Sequence, residues 1–230
     1  MDIISLILIL SATIISGGAS LFIRMNYKKY KEINLTKKLT GYDVAREILD
    51  KNNLSNVLIF ETEGELSDHY DPSNKTIKLS HDIYHGNTIA AASVAAHECG
   101  HAIQDKEGYT FLRFRNKIIP IVNLSSKAGY IAIMLGIILS MVNLVWIGIA
   151  FEIIILLFQL VTLPVEFDAS KRALQIIKKE NIVNKDEHSG AKKMLTSAAL
   201  TYVAGVLSTV LEILRLVFMF TRNDRRWQKK

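Results

Sequence analysis

The stretch His97-Glu98-Cys99-Gly100-His101 puts two imidazoles and a carboxylate at a spacing that can do chemistry. Residues four apart lie on one helical face, so both histidines can reach a single cation. Glu98 lies beside that pair. Zinc lowers the pKa of a bound water from about 15.7 to about 7, and Glu98 is placed to take the proton and later deliver it to a leaving amine. The spacing is the H-E-x-x-H pattern, and the chemistry it implies is metal-assisted hydrolysis of a peptide bond. Cys99 falls at a variable position and points to a different face, where a small apolar filler is the simpler role. As the single cysteine of the chain, it also excludes an intrachain disulfide framework.

Catalytic zinc takes three protein ligands and keeps one position open. No histidine follows His101 at short spacing, so a set of three closely spaced histidines is excluded. His188 is one candidate, but Asp186, Glu187, Ser189 and Gly190 around it read as a solvated loop. Glu166 is better placed. It follows Pro164, and a helix is expected over residues 165–179.

The elements that must position these groups can be read outward from the motif. Its helix is expected to start near Thr88, and the first half is almost all small: Ala90, Ala91, Ala92, Ser93, Ala95 and Ala96. Alanine favours helix and lets neighbouring backbone come close, which suits a helix buried between other elements. Upstream, Thr40 predicts a cap for a helix running to about Asn52, with Val44, Ile48 and Leu49 as its apolar stripe. Residues 56–61, 65–70 and 76–80 read as three strands of a small antiparallel sheet, with Asp71-Pro72-Ser73-Asn74 as a turn. An open edge of that sheet can take an extended peptide as an added strand. His69 and Tyr70, at the end of the second strand, and Tyr202 are candidates for oxyanion stabilisation or substrate binding.

Half of the 230 residues are hydrophobic, and they are not spread evenly. Residues 3–23 form an uncharged run that spans roughly 30 Å as a helix, the thickness of a bilayer's hydrocarbon core. Arg24, Lys28, Lys29, Lys31, Lys37 and Lys38 follow it against one Glu32, so it reads as an anchor with those residues cytoplasmic rather than as a cleaved signal. Residues 128–165 hold one charge, Glu152, and suit two spans joined by a turn at 140–143. Glu152 has three readings: a partner for Arg215, a residue at the turn, or one that faces a cavity. Two crossings return the chain to the side it left, so Glu166 lands on the same face as His97 and His101. The run 195–220 carries Glu212 and Arg215, three apart and able to pair. Basic residues flank both of its ends, so crossing the membrane and lying in the interface both stay open. The net charge of +6 sits beside the apolar runs and forms no aromatic-interleaved patch, which argues against a nucleic-acid partner.

Several blocks together resemble one family. They are Ser67-Asp68-His69-Tyr70-Asp71-Pro72, the stretch from Ala95 through the motif to Gln104, Leu163-Pro164-Val165-Glu166-Phe167-Asp168-Ala169-Ser170, and Ala199-Leu200-Thr201-Tyr202-Val203. In this order they resemble the YugP-like neutral zinc metallopeptidases, which are bacterial membrane proteins, and more widely the HtpX-type membrane zinc proteases. That wider class implies a Glu after a membrane hairpin as third ligand, here Glu166. It also carries an acid four positions later, where this chain has Ser170; the nearby acid is Asp168. The resemblance names no substrate.

The expected protein is a mainly α integral membrane protein with a small zincin-like α+β catalytic part. Its expected segments are an anchor (1–23), a cytoplasmic zincin-like domain (24–127), a transmembrane hairpin (128–165), a cytoplasmic helix with the third ligand (166–194), a spanning or interfacial helix (195–220) and a basic tail (221–230). The expected activity is that of a zinc endopeptidase in a bacterial cytoplasmic membrane, with His97, His101 and Glu166 on Zn2+, Glu98 as base and the active site facing the cytoplasm. Its substrate would be a peptide or membrane protein. The rival reading is a non-catalytic membrane scaffold or chaperone partner with a structural or vestigial zinc, which would not need Glu98. A metal transporter would need His and acidic residues inside the spans, where only Glu152 and Glu212 occur.

Overall fold

A computed structural model describes the backbone of residues 3–227 and the side chains of residues 3–221. The side chains of the basic tail, Arg222, Arg225, Arg226, Lys229 and Lys230, lie outside the described residues. The elements in chain order are α1 (Ile3–Lys31), α2 (Gly41–Lys51), β1 (Leu58–Thr62), β2 (His69–Asp71), β3 (Thr76–Ser80), α3 (His81–His85), α4 (Ile89–Glu107), α5 (Thr110–Ile138), α6 (Val142–Lys179) and α7 (Lys185–Trp227). The chain divides into two units: residues 1–20, 114–163 and 201–230 form one, and residues 21–113 and 164–200 form the other.

In the second unit the helix ends follow from local chemistry. Thr40 caps α2 in a reciprocal box, its side chain accepting from the Asp43 backbone while the Asp43 carboxylate accepts from the Thr40 backbone. Thr88 accepts from the Ala91 backbone at 3.2 Å and starts α4. Gly108 ends that helix at φ +67°, a left-handed conformation that glycine adopts without strain. The core is built from Val44, Ile48 and Leu49 of α2, Ile77 and Leu79 of β3, Ile83 of α3, the alanines of α4, and Ile177 of α6. Each large side chain removed from water this way contributes about 1.5–3 kcal/mol.

The sheet is mixed, which corrects the expected antiparallel one. Its order is β1-β3-β2. β2 pairs with β3 antiparallel, but β1 pairs with β3 parallel, Leu58 opposite Thr76 through Thr62 opposite Ser80. The reason is topological. The chain leaves β1, passes to the far edge to form β2, and returns between them as β3. Because β2 runs opposite to β1, the strand that returns antiparallel to β2 in that slot runs parallel to β1.

Three further expectations change. α3, a five-residue helix directly after β3, was not expected. No new helix starts at residue 165, because α6 runs unbroken through Pro164. Residues 186–190 are not a loop: Asn184 accepts from the Asp186 and Glu187 backbones, Glu187 accepts from the Asn184 backbone, and α7 starts there.

The first unit is made of apolar helix segments. α1, α5, α6 and α7 are each long and apolar enough to cross a membrane. α5 and α6 are joined at residues 139–141, where Ser140 takes φ +54°, at the edge of the expected turn. They pack through small residues. A Cβ on Gly136 would lie 2.6 Å from Val145 Cγ2, and one on Gly148 would lie 2.4 Å from Ile133 Cγ1. Such close approach is how helices associate where no hydrophobic effect drives them together. Arg215 pairs with Glu212, three residues earlier. Glu152 faces a cavity that it lines with Thr13, Ser16, Ser208 and Glu212.

Candidate metal centre

α4 supplies two imidazoles and α6 supplies a carboxylate to one buried point. Glu166 Oε2 lies 3.3 Å from His97 Nε2 and 3.6 Å from His101 Nε2. Ligand atoms about 2.1 Å from a tetrahedral zinc stand roughly 3.4 Å apart, so the three donors already have the separation an ion needs. His101 is 8% exposed and Glu166 3%.

Gly100 sets the approach of the two helices. A Cβ there would lie 2.7 Å from the Ala169 carbonyl oxygen and 3.2 Å from Ala169 Cα. The variable position inside the motif is therefore where α4 touches the backbone of α6, three residues past Glu166. Cys99 turns the other way. Its thiol lies 3.6 Å from the Ala45 carbonyl on α2, and burial pushes its pKa up, which keeps it an inert thiol.

The outward nitrogens are engaged too. His101 Nδ1 lies 3.0 Å from Gln104 Oε1. The Gln104 amide nitrogen donates to the Val165 carbonyl and to Asp168 Oδ2, both at 2.9 Å. Those two acceptors fix which way the amide points, so its oxygen faces the ring. An amide oxygen only accepts, hence His101 carries a proton on Nδ1, which leaves Nε2 as the nitrogen that turns to Glu166 and that becomes a ligand once it gives up its own proton. Asp168 is in turn held by Arg172, which also reaches Glu107 at 2.6 Å. His97 Nδ1 lies 3.2 Å from the Ser170 hydroxyl. A neighbour on the second nitrogen is what orients metal-binding histidines and raises their basicity.

The electrostatics favour a cation at the meeting point. Burial alone would raise the Glu166 carboxyl, but the facing imidazoles of His101 and His97, 3.6 and 3.3 Å away, win and hold it well below the usual range. Burial would push the His101 imidazole down, yet the facing Glu166 carboxylate carries it above its ordinary value. The group thus favours positive charge, and a metal ion can supply it in place of the imidazole protons. The donor set of two imidazoles and one carboxylate fits zinc.

Glu98 is buried, and its charge is felt by Asp68. Burial raises the Asp68 carboxyl, the Ser80 hydrogen bonds oppose that, and the Glu98 charge adds to it. Beside the centre, Ser170 also lines a cleft of ≈ 470 Å³ together with Phe167, Leu174, Leu195 and Ala199.

The remaining sequence candidates have other contacts. His69 is exposed, and its Nδ1 lies 2.8 Å from the Ser67 carbonyl. The Tyr70 hydroxyl donates to Asp105 Oδ2 at 2.7 Å, and burial and Asp105 push its phenol up. Tyr202 belongs to the first unit, on α7. His188 Nε2 lies 3.1 Å from the Leu174 carbonyl. Sequence reasoning missed Gln104 and the part Asp168 plays behind it. The available signal was spacing: Gln104 stands three after His101, on the same helical face.

Comparison with known proteins places the chain in a family. Residues 5–221 match the family described as "Putative neutral zinc metallopeptidase". The chain is 42% identical over 213 residues to the "Putative membrane protease YugP" of Bacillus subtilis (strain 168), covering 93% of this chain and 95% of that protein. No solved structure matches. The chain belongs to the family described as "Putative neutral zinc metallopeptidase".

Proposed function

We propose that this protein is a membrane-embedded zinc endopeptidase that hydrolyses peptide bonds at the cytoplasmic face, with a zincin-like catalytic unit. The observation that carries the reading is the convergence of His97 Nε2, His101 Nε2 and Glu166 Oε2, with both outward nitrogens already engaged. His97, His101 and Glu166 hold the zinc. When bound, zinc acidifies a water and polarises the scissile carbonyl. Glu98 takes the proton of the attacking water and passes it to the leaving amine. Gln104 and Ser170 keep the two imidazoles turned toward the ion. The cleft lined by Phe167, Leu174 and Leu195 suits an apolar side chain of a peptide or membrane-protein substrate.

The cytoplasmic orientation rests on the basic residues after the first apolar run and on the even number of crossings between α4 and Glu166. The test is Glu98→Gln in the full chain in detergent. Zinc content is expected to stay at the wild-type level while peptide hydrolysis falls by two orders of magnitude or more. Undiminished hydrolysis with zinc bound would sink the mechanism. A structural zinc would show wild-type zinc content with no hydrolysis in either protein.

A further inference from the structure

A second group of the same donor types lies outside the site described above. Glu61 sits on β1, and His81 and His85 sit four apart on α3. Glu61 Oε1 is 2.6 Å from His81 Nδ1, and Glu61 Oε2 is 3.0 Å from His85 Nε2. All three donor atoms lie within 4.8 Å of one another. The two imidazoles stand with ring centroids 4.9 Å apart.

The fold brings them together through its parallel strand pair. In that register Glu61 is opposite Leu79 and Thr62 opposite Ser80. The end of β1 and the end of β3 therefore lie side by side. His81 follows β3 directly, and one helical turn brings His85 to the same face. Had β1 run antiparallel to β3, Glu61 would have stood at the opposite end of the sheet. The side chains are exposed, 73% for His81, 55% for His85 and 43% for Glu61. An ion can reach them from solvent without any rearrangement of the core.

We propose that Glu61, His81 and His85 form a second site, for a divalent transition ion of the zinc class. Two imidazoles and a carboxylate are the donors that borderline ions such as Zn2+ prefer, and hard ions such as Mg2+ do not. The hydrogen bonds from His81 and His85 hold the Glu61 carboxyl below its ordinary range, so the oxygen ligand is ionised at neutral pH. An ion entering between them displaces the hydrogen-bonding protons and requires the donors to open by roughly 0.4–0.8 Å toward tetrahedral separation. It completes its shell with water and ties β1 to α3, the helix that leads into α4. Exposure to solvent makes this the weaker of the two sites.

The test is zinc binding by the full chain, purified in detergent, stripped with chelator and equilibrated with ZnCl2. Wild type is expected to bind two ions per chain, the second with lower affinity. The double variant His81→Asn/His85→Asn is expected to keep the tighter ion and lose the weaker one. His101→Ala is expected to do the reverse. Binding of a single ion by wild type, or unchanged binding curves for the double variant, would overturn the second site. Thermal unfolding gives an independent reading. Zinc is expected to raise the Tm of His101→Ala and to leave the Tm of the triple variant His81→Asn/His85→Asn/His101→Ala unmoved. An equal rise in both would also overturn it. Neither readout needs the protein to be a peptidase, so failure here is distinguishable from failure of the proposed activity.

Discussion

The buried cluster on α4 and α6 and the exposed cluster on β1 and α3 hold the same donors: two histidines four apart on a helix and one glutamate from another element. They differ in what surrounds the donors. At the buried cluster the outward nitrogens meet Ser170 and Gln104, and Gln104 is itself fixed by Val165 and Asp168. At the exposed cluster the hydrogen bonds close onto Glu61 itself. The separations record the difference: 3.3 and 3.6 Å where the surroundings hold the donors apart, 2.6 and 3.0 Å where only the donors hold one another. Ligand identity therefore does not set the rank of the two sites. Burial and the supporting hydrogen bonds do.

The most damaging way to break the comparison is to part α4 from α6. Gly100→Val puts three carbons where a single Cβ already meets the Ala169 backbone at 2.7 Å. Backbone cannot swing aside as a long side chain can, so the helices must separate and carry Glu166 from the histidines. Gly100→Val is expected to lose zinc at the buried cluster altogether, and Gly100→Ala to cost about 1–3 kcal/mol of stability. Metal analysis and thermal unfolding in detergent check both. The exposed cluster lies on other elements and is expected to keep its zinc in either variant. A Gly100→Val protein with full zinc content at the buried cluster would show that the close approach does not set its geometry.

Gln104→Leu tests the supporting network instead of the donors. It removes the acceptor that fixes the His101 tautomer and strips a donor from Asp168. Zinc affinity at the buried cluster is expected to fall about 10–100-fold, with binding at the exposed cluster unchanged. Competition against a chelator of known affinity measures both. Equal weakening at both clusters would mean that the substitution acts through global stability.

What could be read from the sequence divides along the same line. His97, Glu98 and His101 form a local pattern on one helix, and Thr40 and Thr88 announce their helices within one turn. Local spacing carries all of that. Glu166 needed a topological argument, the even number of crossings before it. The exposed cluster was illegible because it depends on the parallel pairing of β1 with β3, and no local signal distinguishes a parallel neighbour from an antiparallel one in strands of five residues. Pro164 misled for a related reason. Proline usually opens or breaks a helix in water, but α6 continues through it, and apolar helices tolerate proline where neighbouring groups satisfy the freed backbone. The start of α7 was readable and overlooked: Asn184 and Glu187 are a capping box, disguised by the polar residues around them.

The smallest expected effect is at Ser170, and its sign is what makes it useful. The wider family resemblance puts an acid at this position, four after the ligand glutamate. Here the serine hydroxyl still reaches His97 Nδ1, at 3.2 Å. A neutral hydrogen bond of that length contributes about 0.5–1.5 kcal/mol net, so Ser170→Ala is expected to weaken zinc binding only about 2–10-fold. When His97 Nε2 binds an ion the proton sits on Nδ1, and Ser170→Asp offers that N–H a charged acceptor; charge-assisted bonds are roughly twice as strong. It also adds negative charge near a cation site. Zinc is therefore expected to bind more tightly to Ser170→Asp than to wild type, by a factor of a few, while Ser170→Ala moves the other way. Opposite shifts at the buried cluster, with the exposed cluster as the unmoving internal reference, would establish Ser170 as a working substitute for the acid. Shifts of the same sign would mean that the residue acts by packing against α4, and that the orientation of His97 comes from elsewhere.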